Sequence, residues 1–372
     1  MNALVIGNDH YNTLNVVRAL GKEGIIVSVV IETTNRNSFV LTSKYANNGF
    51  IVGKLDADWL IKTFATTQER IPVIATSDAI ASFIDDNYTK LSSFFILPSV
   101  GEKEGGLTRM MDKNIQLAFA KEVGFDVPKS IAINIRDYDY NDIENCNFPC
   151  IIKPEESIGG SKNDFRICNN IDNLEHSLQE LSDHVSRVLV QDYIPNDEVI
   201  LVAGIRTIDG RNYVFGEVNK TKHGKDLNNL GLNALGILNP ESEIASLCRN
   251  FTDSIDYHGL YSVEAVRKRT ASTLARRQNY FMEINLRSDG LLYFYTAANI
   301  NFPAAWIRSC YGEDVKLSAN NKSVIGMNEF LYFRKGFSTS LIKDIFKTNV
   351  FSLFSIKDPK PFIYKFLYHK HD

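Results

Sequence analysis

Phe281-Met282-Glu283-Ile284-Asn285-Leu286-Arg287-Ser288-Asp289-Gly290 alternates apolar and polar residues through its centre. As a strand it sends successive side chains to opposite faces, so Met282, Ile284 and Leu286 form one apolar face and Glu283, Asn285 and Arg287 the other. A half-buried strand needs only small or solvated polar residues on its open face. A carboxylate, an amide and a guanidinium in a row suit a metal-phosphate site instead. A hard cation such as Mg2+ takes oxygen ligands, often one or two carboxylates plus substrate phosphates, and an adjacent arginine grips a phosphoryl or carboxylate oxygen. The alternation by itself fits equally an exposed strand face with scattered charges.

Upstream, Gly259-Leu260-Tyr261-Ser262-Val263-Glu264-Ala265-Val266 is a second strand-like run with a single acid, Glu264. Pairing of the two runs around the basic segment Arg267 to Asn279 would set Glu264 beside Glu283. Two carboxylates that close repel unless a cation lies between them or one stays protonated.

The surrounding chain has 372 residues, 44% hydrophobic and 23% charged, which is ordinary globular composition with room for two or three domains. A formal net charge of -3 argues against a protein that coats nucleic acid over its whole surface. No apolar run approaches the roughly 20 residues that span a bilayer, and MNALVIGNDH lacks the pattern of a signal peptide, so a cytoplasmic protein is expected. Cys146, Cys150, Cys168, Cys248 and Cys310 show no CxxC or Cys/His metal spacing and are expected to be reduced and structural.

Ala3-Leu4-Val5-Ile6-Gly7 reads as a buried strand running into the turn Asn8-Asp9-His10, then a helix (Leu14, Val17, Leu20) and a second apolar run, Ile25 to Ile31. This β-α-β opening lacks GxGxxG. Pro72 to Ala75 is another strand, ending at Thr76-Ser77-Asp78. Ligands of open parallel sheets lie beyond the carboxyl ends of the strands, which makes Asn8, Asp9, Thr76, Ser77 and Asp78 candidates for a small-molecule site; turn formation and helix capping account for the same residues. Asp112 is placed to cap a helix from Lys113 to about Gly124, with Pro128 beyond. Cys150-Ile151-Ile152-Lys153-Pro154 is a strand ending in a lysine, followed by Ser157-Ile158-Gly159-Gly160-Ser161. That loop reads as a hairpin turn or as backbone for phosphates, and it is not a Walker loop. Val188 to Pro195 runs as a strand into a turn, Glu198 follows, and a basic stretch holds Lys220 and Lys222.

Taken in order, the lysine at a helix start, Lys-Pro before a Ser/Gly loop, Gln191-Asp192-Tyr193-Ile194, the later lysines, Glu264 and Glu283-x-Asn285-x-Arg287 resemble the ATP-grasp superfamily. Within it they are similar to carboxylate-amine ligases of the D-aspartate ligase kind and to carbamoyl-phosphate synthase ATP domains; Asp-Pro-Lys-Pro at 358 to 361 also looks like the end of this ligase group. The resemblance implies an α/β and α+β protein: a Rossmann-like pre-ATP-grasp domain (1–105), a small lobe or lid (106–190), a catalytic lobe (191–330) and a basic, aromatic C-terminal segment (331–372). It implies ATP and one or two Mg2+ ions, or Mn2+, as cofactors. Lys113 and Lys153 would bind phosphates under the loop Ser157, Gly159, Gly160, Ser161. Gln191, Asp192, Tyr193 and Ile194 would hold adenine through backbone groups, with Glu198 on the ribose. Either Lys220 or Lys222 would reach the γ-phosphate, and spacing does not choose between them. Glu264, Glu283 and Asn285 would ligate metal, and Arg287 would be catalytic, facing the transferring phosphoryl group. Asp192 departs from the usual Glu, and the basic 267–279 hairpin has no counterpart role.

The chemistry so implied is activation of a carboxylate as an acyl phosphate and its capture by an amine. Another acceptor, or a non-catalytic nucleotide-binding protein, is the alternative. Both substrates would be small molecules, selected by the N-terminal turns and by loops such as Asn299 to Trp306, with no nucleic acid; neither substrate identity nor oligomeric state is readable. From Phe330 onward, eight Lys/Arg face three acids among many aromatics, and Leu341, Ile342, Ile345, Phe346 and Val350 fit one apolar helix face. Packing onto the catalytic domain is the favoured reading of this segment, and docking on an anionic membrane or lipid-linked substrate the other.

Overall fold

Ala3 to Ile6, apolar without a break, form a strand buried on both faces, as a central strand of a parallel sheet must be. The strands of the chain are β1 (Asn2–Gly7), β2 (Ile26–Glu32), β3 (Asn48–Val52), β4 (Ile71–Ala75), β5 (Phe95–Ile96), β6 (Ser99–Val100), β7 (Ser130–Asn134), β8 (Cys150–Pro154), β9 (Arg166–Cys168), β10 (Arg187–Asp192), β11 (Glu198–Arg206), β12 (Asn212–Lys222), β13 (Leu230–Ile237), β14 (Tyr257–Lys268), β15 (Gln278–Asn285), β16 (Val324–Met327) and β17 (Val350–Phe351). The structure, a computed structural model, describes all residues except 67–68, 156–163, 196–197, 223–229, 269–277, 320–322, 330–338 and 369–372. For Thr221, Lys222, Leu230, Gly231, Thr339, Ser340 and Tyr368 it describes the backbone alone. The predicted loop residues Ser157, Gly159, Gly160 and Ser161 therefore lie outside the described residues, as does the middle of the basic hairpin. The chain divides into two units: Met1–Leu107 with Ile200–Ser262 and Asn285–Asp372, and Thr108–Val199 with Val263–Ile284.

In the first unit, β1 to β5 make a parallel sheet in the order β3-β2-β1-β4-β5. Its second sheet runs through β14, β11, β12, β13, β16 and β17. One apolar core joins Val5, Val29 and Leu14 to Leu201, Tyr295, Phe302 and Trp306. Phe302–Cys310 is a helix whose Phe302 and Trp306 are fully buried, so within the expected substrate-selecting loop Asn299 to Trp306 the residues Ile300 and Phe302 to Trp306 are core, while Asn299 is exposed and Asn301 caps the helix. The C-terminal segment is fastened by a buried ion pair: Arg18 Nε donates to Asp358 Oδ2 at 2.9 Å, Arg18 Nη2 to the Asp358 carbonyl at 2.8 Å, and Ser43 Oγ to Asp358 Oδ2 at 2.7 Å. Phe362 and Tyr364 pack against the core. The helix Thr339–Lys347 forms, but among its described side chains Leu341 and Asp344 are buried while Ile342, Ile345 and Phe346 are exposed, and Val350 belongs to β17. Amphipathic spacing told which residues share a face, not how narrow a stripe the protein covers.

In the second unit, β7, β10, β8 and β9 form an antiparallel sheet in the order β7-β10-β8-β9 over a core of Ile133, Ile152, Leu174 and Val188. Asp112 caps the helix Lys113–Glu122 as predicted, accepting from the Asn114 and Ile115 amides, and Gly124 with φ 99° follows its end. β15 is the hydrogen-bonded neighbour of β14. All five cysteines are free thiols.

Candidate functional site

The order of the parallel sheet reverses between β1 and β4: the chain moves outward from β1 through β2 and β3 on one side, and from β4 to β5 on the other. Ligands of open α/β sheets lie outside the carboxyl ends of the strands at such a switch point. Here the turns after β1 and β4 draw close. Thr13 Oγ1 and Thr76 Oγ1 are 2.8 Å apart, and a Cβ on Gly7 would lie 2.0 Å from the Thr76 hydroxyl, so only glycine fits the end of β1.

The structure divides the predicted turn residues by role. Asn8 donates from Nδ2 to the Glu32 carbonyl at 3.3 Å, and its own carbonyl accepts from Thr13 Oγ1 at 2.8 Å. Asp9 accepts from Ser38 Oγ and from the Phe39 and Val40 amides at 3.3 and 3.2 Å, so both of its oxygens are engaged. Ser77 caps the helix Asp78–Asp86, accepting from the Ile80 amide at 3.4 Å. Asp78 instead holds Arg287: Nε donates to Oδ1 at 2.8 Å and Nη2 to Oδ2 at 2.9 Å.

Arg287 is fixed on every side. Nη2 also donates to Asn285 Oδ1 at 3.0 Å and Nη1 to the Ser288 carbonyl at 3.0 Å. Asn12, 4% exposed, supports the same turn: Nδ2 donates to the carbonyls of Thr76 at 2.7 Å and Ser288 at 2.9 Å, and Oδ1 accepts from Ser288 Oγ at 2.9 Å. Tyr11 lies against Gly290, where a Cβ would be 3.2 Å from the ring. Sequence reading missed Asn12, because an asparagine early in a helix carries no sign of its partners 64 and 276 positions away.

In the second unit the two predicted phosphate lysines are both buried, Lys113 at 6% and Lys153 at 7% exposure. Glu155 ties their elements together. Its carbonyl accepts from the Lys113 amide at 3.2 Å, Oε1 accepts from Asn114 Nδ2 at 2.8 Å, and its carboxylate pairs with Arg187. Lys153 Nζ donates to Gln191 Oε1 at 2.9 Å, and Gln191 Nε2 donates to Ser130 Oγ at 3.0 Å. The Asp192 and Tyr193 amides donate to the Lys129 and Pro149 carbonyls at 2.9 and 3.0 Å. Adenine contacts from this segment would therefore draw on carbonyl groups and on Ile194. Glu198, a quarter exposed, lies 3.7 Å from Nη1 of the buried Arg267, whose Nε donates to Asn279 Oδ1 at 3.2 Å. Arg267 was read only as part of a basic hairpin.

Glu264 on β14 and Glu283 on the adjoining β15 are half-buried, and Glu283 and Asn285 share one face of β15. Lys220 is half-buried on β12, opposite Asn233 of β13, and the register shifts between Lys220 and Lys222.

Among the described residues, no three His, Cys, Asp or Glu side chains gather as a metal cluster. The expected donor set, two carboxylates and an amide oxygen, is of a different kind: hard, oxygen-only and short of a full shell, as Mg2+ requires when it keeps waters and substrate phosphates. Asn285 Oδ1 accepts one bond from Arg287 and retains a second lone pair. The residues fit the ion.

Residues 118–275 match the family model of the ATP-grasp domain. No curated protein matches the sequence. Among solved structures, the chain is similar to N5-carboxyaminoimidazole synthetase from Staphylococcus aureus complexed with ADP, at a TM-score of 0.67 and 16% identity over 87% of this chain and 81% of that one. It is similar to L-amino acid ligase from Bacillus licheniformis, at a TM-score of 0.61 and 12% identity over 85% and 78% of the two chains. The biotin carboxylase domain of Hydrogenobacter thermophilus 2-oxoglutarate carboxylase gives 0.65 and 17% identity over 87% and 73%. At these identities the likeness is one of fold.

Proposed function

From the ATP-grasp fold and the ATP-grasp domain that this chain carries, we propose that the protein is an ATP- and Mg2+-dependent ligase joining a small carboxylate to an amine. The observation that carries the reading is the row on β15 and beyond it: Glu283, Asn285 and an Arg287 locked to both Asn285 and Asp78. A protein that only stores nucleotide has no use for a guanidinium held so firmly beside metal-type donors.

Each residue has a task in that reaction. Lys113 and Lys153 offset triphosphate charge, and their burial makes each ammonium electrostatically stronger than it would be in water. Gln191 positions Lys153, and Glu155 keeps the two lysine-bearing elements in register. Asp192, Tyr193 and Ile194 border the base, and Glu198 takes the ribose hydroxyls with Arg267 behind it. Lys220 or Lys222 reaches the γ-phosphate. Glu264, Glu283 and Asn285 would hold Mg2+, or Mn2+, which when bound screens the phosphate oxygens.

A substrate carboxylate oxygen attacks the γ-phosphorus and ADP departs. The amine nitrogen then adds to the acyl carbon, loses its proton, and phosphate leaves. Arg287 stabilises the oxyanion that forms at the acyl carbon, the larger for being preorganised. A biotin carboxylase domain and an L-amino acid ligase are both among the solved structures of this fold, so the fold by itself does not name the acceptor.

The test is phosphate release from Mg-ATP across a panel of amino acids and small carboxylates, singly and in pairs, with Glu283→Gln as control. Release that depends on one acid and one amine and vanishes in the variant supports the ligase. Release with an acid and no amine points to another acceptor. ATP binding without release under any pair would leave a nucleotide-binding protein, and absence of Mg-ATP binding would end the reading.

A further inference from the structure

The turn residue left over at the switch point is His10. Asn8 and Asp9 are taken up by Glu32, Thr13, Ser38, Phe39 and Val40, whereas His10 keeps an exposed edge. Its Nδ1 accepts from the Asn12 amide at 3.2 Å and so caps the helix Tyr11–Gly21. A neutral imidazole has one acceptor nitrogen and one N–H. With Nδ1 spent on the cap, the proton sits on Nε2, and the ring can donate but has no lone pair left for taking a proton.

The ring's surroundings keep it in that state. Packing around it, and then the positive charges of Arg287 and Lys365, push its pKa down to about 4, with Asp289 pulling the other way. Its ring centroid is 4.0 Å from that of Tyr11, which itself lies against Gly290 of the turn that carries Arg287. Lys365 comes from the helix Lys360–Tyr368 and stands over Phe39 at 5.3 Å. Capping alone does not account for a histidine here, since Asn, Asp and Ser are the better caps. Arg287 already has a full anionic partner in Asp78, so a substrate anion arriving beside it needs a further donor.

We infer that His10 is a substrate-binding residue whose Nε2–H donates to an oxygen of the substrate carboxylate, as a neutral donor and not as the base for the amine. The inference rests on the ligase reading for its substrate class. A donor that stays uncharged over the working pH range binds the carboxylate without a charge that the acyl phosphate and the departing phosphate would then compete for.

His10→Ser keeps an oxygen to cap the helix and removes the ring. With the carboxylate that stimulates phosphate release, the variant should raise the KM for that carboxylate about tenfold, the loss of one hydrogen bond to a charged acceptor, and leave the KM for ATP, the melting temperature and the shape of the kcat-pH profile as they were. An unchanged carboxylate KM, or an altered pH profile, overturns the inference. A second readout does not need turnover: in histidine-15N-labelled protein, His10 should show the Nε2–H tautomer, and its Nε2 resonance should shift on titration with carboxylates of the same panel. The Nδ1–H tautomer, or a resonance that no carboxylate moves, overturns it as well. Carboxylate-dependent shifts in a protein that never hydrolyses ATP would sink the ligase reading while upholding the binding site.

Discussion

Arg287 and Asp78 meet in a two-pronged pair, Nε to Oδ1 at 2.8 Å and Nη2 to Oδ2 at 2.9 Å, and the same guanidinium reaches back to Asn285. The planar fork of arginine matches a carboxylate in a way that the single ammonium of lysine does not. Asp78→Asn should lower kcat/KM by roughly 10- to 150-fold, the worth of a charged hydrogen bond. Arg287→Lys should cost at least as much, because it also unties Asn285. Steady-state kinetics with the stimulating substrate pair, beside melting curves, separates this from unfolding; an Asp78→Asn enzyme with wild-type kcat/KM would refute a positioning role.

The Arg18–Asp358 pair is a different matter, with side chains 5% and 1% exposed. Burial pulls the Arg18 pKa below its usual value, against the pull of Asp358. Asp358→Ala leaves that cation without its partner and should destabilise the protein by about 3–5 kcal/mol, while Arg18→Met with Asp358→Leu should recover most of the loss. Urea unfolding of the two single variants and the double variant measures the coupling. Independent, additive losses would show that the C-terminal segment is held by its apolar contacts alone.

What the sequence revealed was local and what it hid was distant. Continuous apolar runs gave β1 and β2, and Asp112 announced its helix because a cap acts within three residues. The alternation from Phe281 to Arg287 predicted one strand face for Glu283, Asn285 and Arg287; the strand ends at Asn285, Arg287 lies in the bend beyond it, and Asp78, 209 positions away, is what orients it. Asp9 looked like a ligand-binding turn residue, since nothing nearby shows that Ser38 and the amides after it would claim its oxygens. The helix Thr339–Lys347 was misjudged in its inward face because periodicity carries no information about what lies opposite.

Lys153 offers a sharper test of the nucleotide site. It is buried, and its Nζ donates to Gln191 Oε1 at 2.9 Å; Lys153→Met removes the cation and keeps an unbranched side chain of similar length. The variant should remain folded and bind Mg-ATP roughly 10- to 150-fold more weakly, the range for a hydrogen bond to a charged group. Calorimetric titration with a non-hydrolysable ATP analogue reads this directly. Tight binding by the variant would move the triphosphate away from Lys153.

His10 sets a pH dependence of stability whose sign follows from its depressed pKa, about 4 in the folded protein against an ordinary 6.5. Between those values the unfolded chain binds more protons than the native one, so stability rises with pH. The contribution is complete above pH 6.5, falls away as the pH drops toward 4, and is constant below that. Because the residue keeps an exposed edge, solvent screening reduces the size of the effect without changing its direction. His10→Ser retains a capping oxygen and has nothing to titrate, so denaturant midpoints measured from pH 7 down to pH 4 should fall less steeply for the variant than for the wild type. Parallel slopes would mean that His10 takes up its proton in the native state as readily as in the unfolded chain, and the imidazole would then be a cation at mildly acidic pH.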